Sequence, residues 1–443
     1  VIQEAIARED NSFLNDELKN LHEADIAQVL MNLHKEEGRY LFNLVGLDKG
    51  GEVLVELEED QRKALMAGFS PEEIVEDYIK QMDSDDAADF INGFPDETRD
   101  VVIDYLSKST DPSDRSVLSL LAYDPETAGG LMATELIRVN LNWTVAQCQA
   151  AIRKQAKEIE NIYNVYVEDS RRILKGYVSL TSLILSDPEN RVKDIYKEDI
   201  VSVEGDTPAE EVASIMRKYD LVALPVVNKA GILIGRITID DVVDFIKEEA
   251  EEDYQLASGI AEDVGYSDKV WVLSRARLPW LLLGLLGGIA SAKVISLNEG
   301  ALEIYPQMAF FIPLIAAMGG NAGIQSSAII VQGLASNKLD TGSLISKILK
   351  EFAVALLNGL LCAAVLLAYN LVFSESIQLG LTVSLALLSV IIIASILGVS
   401  IPLGLYKLNV DPALATGPFI TTTNDLVGLG IYFLIGRLLF SLP

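Results

Sequence analysis

The chain is poor in cysteine, histidine and basic residues. Its 443 residues include only two cysteines, Cys148 and Cys362, and two histidines, His22 and His34. The cysteines lie far apart and lack metal-ligand spacing, so we expect two reduced structural thiols rather than a disulfide framework or a zinc site. With so few histidines, no nucleophile motif and no phosphate-binding loop, the sequence does not favour an enzyme.

Basic residues number 35 against 64 acidic ones, which gives a net charge of −29. That sign argues against nucleic acid as a partner, because phosphates require the opposite charge. The residues after Ser274 include seven acids and eight bases, so the first 274 residues carry −30. We therefore predict an acidic, cytoplasmic half that starts with charged helix rather than a signal peptide, and an apolar half that lies in lipid.

The apolar half contains five segments that are each long enough to cross a bilayer, which takes about 20 apolar residues. They lie at roughly 278–297, 304–334, 346–373, 377–404 and 412–441. Bases lie before the first segment, after the second (Lys338) and after the fourth (Lys407). The loops after the first and third segments carry acids, such as Glu375, and no base. By the positive-inside rule, the amino end lies inside and the carboxyl terminus outside a cell (inner) membrane.

Two stretches within these segments are chemically unusual. AAMGGNAGIQSS, residues 316–327, interrupts an apolar helix with small and amide residues, and close helix packing explains it as well as a functional role. In ITTTNDLVGLGIYF, Asp425 lies near the middle of the last segment, at helical spacing from Thr421, Thr422 and Gly428. The alternative is a protonated Asp bonded to a neighbouring helix, but intramembrane acids usually line aqueous paths, so we predict a cation pathway.

The acid count narrows the chemistry of this pathway. Intramembrane aspartyl proteolysis needs two carboxylates that share a proton, and we find no second acid deep in these segments. A lone Asp suits a cation pathway in which two chains bring two copies to a symmetry axis. Hydroxyl, amide and carbonyl oxygens with few carboxylates suit Mg²⁺, which retains waters of hydration.

Residues 133–250 contain an internal repeat. YVEDSRRILKGYVSLTSLI, from Tyr166, aligns with PVVNKAGILIGRITIDDVV, from Pro225, at a shift of 59 residues that matches Gly176 to Gly235. Each unit is predicted to form helix, strand, turn, strand and helix. The two units resemble a tandem CBS pair, a module that often senses nucleotides or ions.

Residues 1–130 have no strand signals and are predicted to form stacked amphipathic helix pairs, in the manner of a solenoid. Asp85, Asp86 and Asp89 cluster on one helical turn there. A second acidic cluster spans residues 240–254, which we interpret as a helix that joins the CBS pair to the membrane. Each cluster alone is typical of a solvated face, but two on different domains without nearby bases favour divalent-cation binding between domains.

The whole chain, over residues 15–441, resembles the MgtE family of magnesium channels. The most specific pieces are GGNAGIQS from Gly319, VDPALATGP from Val410 and TTNDLVGLGIYF from Thr422. The resemblance implies a multidomain membrane protein that forms homodimers with the pore between the chains, with Mg²⁺ as permeant and regulatory ion and ATP as a candidate ligand of the CBS pair. Its parts would be an all-α, solenoid-like N domain (1–130), an α/β tandem CBS pair (131–245), a connecting plug helix (246–274) and an α-helical transmembrane domain with five spans (275–443).

The resemblance also implies roles for individual residues. The acid that binds the ion in the pore falls on Asp425. Further pore-lining positions fall on Gly320, Asn321, Gly417, Thr421 and Asn424. Regulatory magnesium ligands fall on Glu52, Asp85, Asp89, Glu210, Asp220, Asp241, Asp244, Glu249, Glu252, Asp253 and Asp411. Pro208 departs from the family, because some members have an acid there.

Three functions are open at this level. The first is a dimeric channel that passes Mg²⁺ inward and closes when cytosolic Mg²⁺ is high. The second is an exchanger driven by Na⁺ or H⁺, which would need ionisable groups in the spans besides Asp425. The third is a membrane-anchored sensor of divalent ions or nucleotides, which would have no use for a buried carboxylate. We predict the first, a channel for magnesium homeostasis.

Overall fold

The computed structural model describes residues 2–57, 59–156, 159, 161–262, 264–265, 269–335, 344–373, 376–408, 410–415 and 417–440. Two compact units divide the chain, Val1–Ile246 and Lys247–Pro443. Lys338 and Glu375, which entered the charge argument above, lie outside the described residues.

The described residues of the first 120 positions are largely helical, as predicted. Polar residues cap several helices: Asp111 accepts a hydrogen bond from the Ser113 backbone N–H (3.1 Å), and His22 accepts one from Ala24 (3.3 Å). A π-helical turn at Ile74–Tyr78 and a 3₁₀ turn at Ile79–Gln81 precede α8. The helices are α1 (Ile2–Ala7), α2 (Asn11–Asn20), α3 (Glu23–Met31), α4 (Lys35–Phe42), α5 (Leu47–Val55), α6 (Glu59–Met66), α7 (Pro71–Glu73), α8 (Ser84–Asn92), α9 (Asp96–Lys108) and α10 (Pro112–Leu120).

Two three-stranded sheets follow, and they confirm the predicted repeat. In each sheet the first two strands are parallel and the last two antiparallel. Gly176 pairs with Val167 in the first sheet and Gly235 with Val226 in the second, each beside a register shift. The elements are β1 (Ile137–Asn140), α11 (Val145–Gln155), β2 (Val165–Glu168), β3 (Leu174–Val178), α12 (Leu180–Leu185), β4 (Val203–Glu204), α13 (Ala209–Tyr219), β5 (Ala223–Val227), β6 (Leu233–Thr238) and α14 (Ile239–Ala257).

Among the described residues of the second unit, five helices are long and apolar enough to cross a membrane. Together with the helical region and the paired small sheets, they confirm the predicted fold class. A 3₁₀ turn precedes α17 and another precedes α20, at Pro306–Phe311 and Pro412–Ala415. The helices are α15 (Val270–Leu297), α16 (Glu299–Ile304), α17 (Ile312–Ala335), α18 (Leu344–Phe373), α19 (Ile377–Lys407) and α20 (Gly417–Phe440), of which all but α16 are candidate spans.

Glycines let α17 pack closely against two of these helices. A methyl group placed on Gly323 would lie 1.8 Å from Asn424 Nδ2 of α20. One placed on Gly398 of α19 would lie 2.4 Å from the Gly323 carbonyl oxygen and 3.1 Å from Ser326 Cβ. The position of α17 therefore depends on residues that have no side chain at these contacts.

Candidate functional site

An open cleft of about 730 Å³ lies beside Asp425 in the membrane unit. Its polar wall comes from the first turns of α20, where Thr421 and Thr422 precede Asp425. Asp425 is half-buried, and within the described part of the chain its carboxylate accepts no hydrogen bond from protein. This placement supports the pathway interpretation over the alternative of an Asp bonded to a neighbouring helix.

Helix α17 comes close to this acid at Gly320. A methyl group on Gly320 would lie 3.2 Å from the Thr421 methyl carbon and 3.7 Å from Asp425 Oδ1. The structure thus brings together three of the residues predicted for the pore, one from the second span and two from the fifth. Any side chain at position 320 would enter the space beside the carboxylate.

The other predicted pore residues lie elsewhere. Asn424 is 1 % exposed and packs against Gly323, and neither its side-chain nitrogen nor its oxygen has a hydrogen-bond partner among the described residues. Asn321 is exposed. Gly417 has a φ of +50°, and a methyl group there would lie 2.3 Å from the Ala257 carbonyl oxygen. The start of α20 therefore packs closely against the end of α14 at a position that requires glycine.

Two walls of the cleft were missed by sequence reasoning. Residues 258–260, which follow α14, form one, and α15 forms the other through Arg277, Trp280 and Gly284. The glycine pattern in LGLLGGIAS is the signal that could have identified α15, because a methyl group on Gly287 would lie 1.9 Å from Thr422 Cγ2. Small residues at such spacing are typical of close contacts between membrane helices.

The prediction that the spans hold no acid besides Asp425 requires correction. Glu351 lies in α18, seven residues after its first residue Leu344 and within the third candidate span. The Ser326 hydroxyl of α17 donates a hydrogen bond of 2.6 Å to Glu351 Oε1. Glu351 falls inside the predicted segment 346–373, so the sequence itself contains the signal, although Lys347 and Lys350 beside it were assigned to the preceding loop.

A second group of acids lies in the first unit, where the start of α8 meets the start of α14. Asp85 is 9 % exposed, and its Oδ1 accepts a hydrogen bond from the Asp86 backbone N–H (3.0 Å). Asp241 Oδ2 accepts bonds from the Thr238 N–H (2.9 Å) and hydroxyl (2.6 Å). Ser84 also contacts the CBS region, because its hydroxyl donates to Glu135 Oε2 (2.8 Å).

Burial and mutual repulsion raise the pKa values of these three acids. Burial, followed by the charges of Asp86 and Asp241, raises the pKa of Asp85 well above its ordinary value. Burial and then Asp241 raise the pKa of Asp86 to about 7. Burial also raises the pKa of Asp241, although the bonds from Thr238 oppose it. A bound cation would relieve this repulsion, and carboxylate oxygens are ligands that Mg²⁺ prefers.

The remaining predicted magnesium ligands are more dispersed. Glu249 and Asp253 are half-buried, whereas the exposed ones are Glu52, Asp89, Glu210, Asp220, Asp244, Glu252 and Asp411. Asp220 ends α13 in the left-handed conformation (φ 52°), and Asp411 Oδ1 accepts a bond from the Ala413 N–H (2.8 Å), so both also have local structural roles. Across the described ranges, no three acidic, histidine or cysteine side chains converge closely enough to hold a metal ion.

Comparison with known proteins covers all three parts of the chain. The family described as "Divalent cation transporter" matches residues 312–435, "MgtE intracellular N domain" matches 21–126 and "CBS domain" matches 192–248. The magnesium transporter MgtE of Thermus thermophilus is 33 % identical over 99 % of this chain and 98 % of its own, and that of Bacillus subtilis is 31 % identical over 96 % and 90 %.

A solved structure resembles the acidic, amino-terminal half of the chain. The cytosolic domain of the Mg²⁺ channel MgtE in complex with ATP is 33 % identical, with a TM-score of 0.51, and covers 55 % of this chain and 98 % of its own. Identity above 30 % over nearly the full length of these relatives identifies the family. The chain belongs to the MgtE family of magnesium transporters.

Proposed function

We propose that the protein is a homodimeric Mg²⁺ uptake channel of the cell inner membrane, closed by cytosolic Mg²⁺. The observation that carries this proposal is the half-buried Asp425 carboxylate in an open cleft, without a protein hydrogen bond in the described part of the chain. A carboxylate held in this way is available to a passing cation. No catalytic role is needed for any residue of the cleft.

The charge of the ion supports a dimer. One carboxylate cannot neutralise a divalent ion, whereas two copies of Asp425 related by a two-fold axis can. The cleft is open, and the hydroxyls of Thr421 and Thr422 add neutral oxygens. A partly hydrated Mg²⁺ could be held between two such half-sites through its waters.

The acids of the first unit support the gate. Asp85 and Asp86 of α8 and Asp241 of α14 repel one another, so cytosolic Mg²⁺ between them would favour the arrangement in which they lie close. Helix α14 ends at Ala257, against which Gly417 starts the helix that carries Asp425. A change in α14 would therefore reach the pore helix through this contact. We include in this proposal the domain limits given by the sequence and the other acidic residues predicted as regulatory Mg²⁺ ligands.

Two further parts of the proposal concern ATP and orientation. A structural neighbour of the acidic half was solved with ATP, so we include ATP as a ligand of the CBS pair. The acidic half lies in the cytoplasm, and five spans then leave the carboxyl terminus outside.

Glu351 makes ion exchange the second candidate function. An exchanger driven by Na⁺ or H⁺ needs ionisable groups in its spans, and Glu351 is one in addition to Asp425. The test is Mg²⁺ uptake by purified protein in liposomes, with no Na⁺ or proton gradient imposed. A channel takes up Mg²⁺ under its own gradient at a rate that added Na⁺ or proton gradients leave unchanged. Uptake that appears only with such a gradient would exclude the channel and favour the exchanger.

A further inference from the structure

Glu351 is a costly residue in its position. Its exposed neighbours on α18 are the base Lys350 and apolar side chains such as Leu349 and Phe352. A carboxylate inside a candidate span is unfavourable in lipid unless its oxygens have partners. Glu351 is half-buried because it turns toward α17 instead.

The partner of Glu351 is a buried hydroxyl. Ser326 is 4 % exposed, and its Oγ lies 2.6 Å from Glu351 Oε1 and 2.9 Å from the Ala322 carbonyl oxygen. A hydroxyl has one proton to donate, and the shorter, charge-assisted bond to the carboxylate is the stronger of the two. The pair therefore links the third span to the second, in addition to the glycine contacts that α17 makes with α19 and α20.

The linked helix forms part of the pore wall. Ser326 follows Gly320 by six residues, which is about 9 Å along the axis of α17 at about 1.5 Å per residue. At Gly320 the backbone of α17 comes close to Thr421 and Asp425. A shift of α17 away from these residues would widen the space beside the pore carboxylate.

We propose that Glu351, through Ser326, is a positioning residue that holds α17 at the distance from Asp425 required to discriminate Mg²⁺ from larger divalent ions. This inference rests on the proposed pore at Asp425. Mg²⁺ is small and dehydrates reluctantly, whereas Ca²⁺ is larger and accepts more irregular coordination. In a wider space the groups beside Asp425 no longer match the near-ideal octahedral geometry that Mg²⁺ requires, whereas Ca²⁺ tolerates the change, so the Ca²⁺ to Mg²⁺ uptake ratio rises.

The test compares initial rates of Mg²⁺ and Ca²⁺ uptake by the full-length protein in liposomes. Glu351→Ala and Ser326→Ala should each raise the Ca²⁺ to Mg²⁺ rate ratio by about three-fold or more, as expected from the loss of one interhelical hydrogen bond. The double variant should show no larger change than either single one. Glu351→Gln should stay close to the wild type, because its amide oxygen still accepts from Ser326.

Two matched controls separate this role from general damage. Ser389→Ala removes a hydroxyl that, among the described residues, bonds only within its own helix, to the Leu385 carbonyl (2.9 Å). Glu303→Ala removes an exposed acid that lies between the first two spans. Both should leave the rate ratio unchanged. If Glu351→Ala does not fold, Ser326→Ala, which loses a single oxygen, still decides the question.

Several outcomes would overturn the inference. An unchanged ratio in Ser326→Ala with normal folding would exclude positioning through this bond. A Glu351→Gln variant as altered as Glu351→Ala, with Ser326→Ala silent, would show that the charge matters and the bond does not. Failure of the pore proposal looks different, because Mg²⁺ uptake would then persist in Asp425→Asn or be absent from the wild type.

Discussion

The contact between α17 and α19 makes a sharp prediction at Gly398. In Gly398→Ala the new methyl group would lie 2.4 Å from the Gly323 carbonyl oxygen, about 1 Å closer than an ordinary van der Waals contact. Because the obstacle is backbone, the two helices must separate, and overpacking of this kind costs about 1–3 kcal/mol. Gly404→Ala on the same helix is the matched control, since no described atom beyond the local helix backbone lies within 4 Å of the added methyl group.

The assay is thermal unfolding of the detergent-solubilised, full-length protein. The Gly398→Ala variant should melt at least about 3 °C below the wild type, whereas Gly404→Ala should melt at the same temperature or slightly above it, because alanine favours helix. The Gly398→Ala variant should also take up Mg²⁺ abnormally, because α17 carries the Gly320 contact to the pore acid. Equal melting temperatures for the two variants would refute the reasoning about this helix contact.

Three further predictions concern the acids and the dimer. In Mg²⁺-free solution, hydrogen exchange in α8 of the full-length protein should slow as pH falls from about 7 toward 5. Because the pKa values of Asp85, Asp86 and Asp241 are raised, the folded state binds more protons than the unfolded state in this range. The stability of the folded state therefore increases as pH falls. Exchange that is independent of pH, after correction for the intrinsic rate, would contradict this. Neutralising Asp85, Asp89 and Asp241 together should leave a channel that conducts at high internal Mg²⁺, and closure like that of the wild type would mean that these acids are only a solvated face. Cysteine crosslinks along the Thr421–Gly428 face should join two copies of α20, whereas crosslinking only from the opposite face would exclude a shared pore.

The sequence predicts the large features of this molecule well, for physical reasons. A bilayer imposes a minimum length on apolar segments, so five spans are countable, although α15 begins at Val270, before the segment predicted from roughly 278. The repeat could be identified because the two sheets place Gly176 and Gly235 at equivalent positions beside a register shift. Asp425 was recognisable because a carboxylate inside a span is costly in any fold.

What a sequence does not provide is the direction in which each helix face points. Asn424 and Asp425 are neighbours in sequence and differ by about 100° around α20, and only the packing of α17 decides that Asn424 is buried against Gly323 while Asp425 lines the cleft. The partner of Glu351 is likewise set by tertiary packing, since Ser326 lies on another helix. Residues 258–260 likewise carry no motif. They line the cleft because the last residue of α14, Ala257, contacts Gly417 at the start of α20.

The central claim is that the charge of Asp425 binds the permeating Mg²⁺. Asp425→Asn tests it most directly, because this substitution keeps the shape of the side chain and removes only its charge. We predict that the variant, folded and dimeric by size-exclusion chromatography, loses Mg²⁺ uptake in liposomes where the wild type conducts. Normal Mg²⁺ uptake by the folded variant would contradict the account.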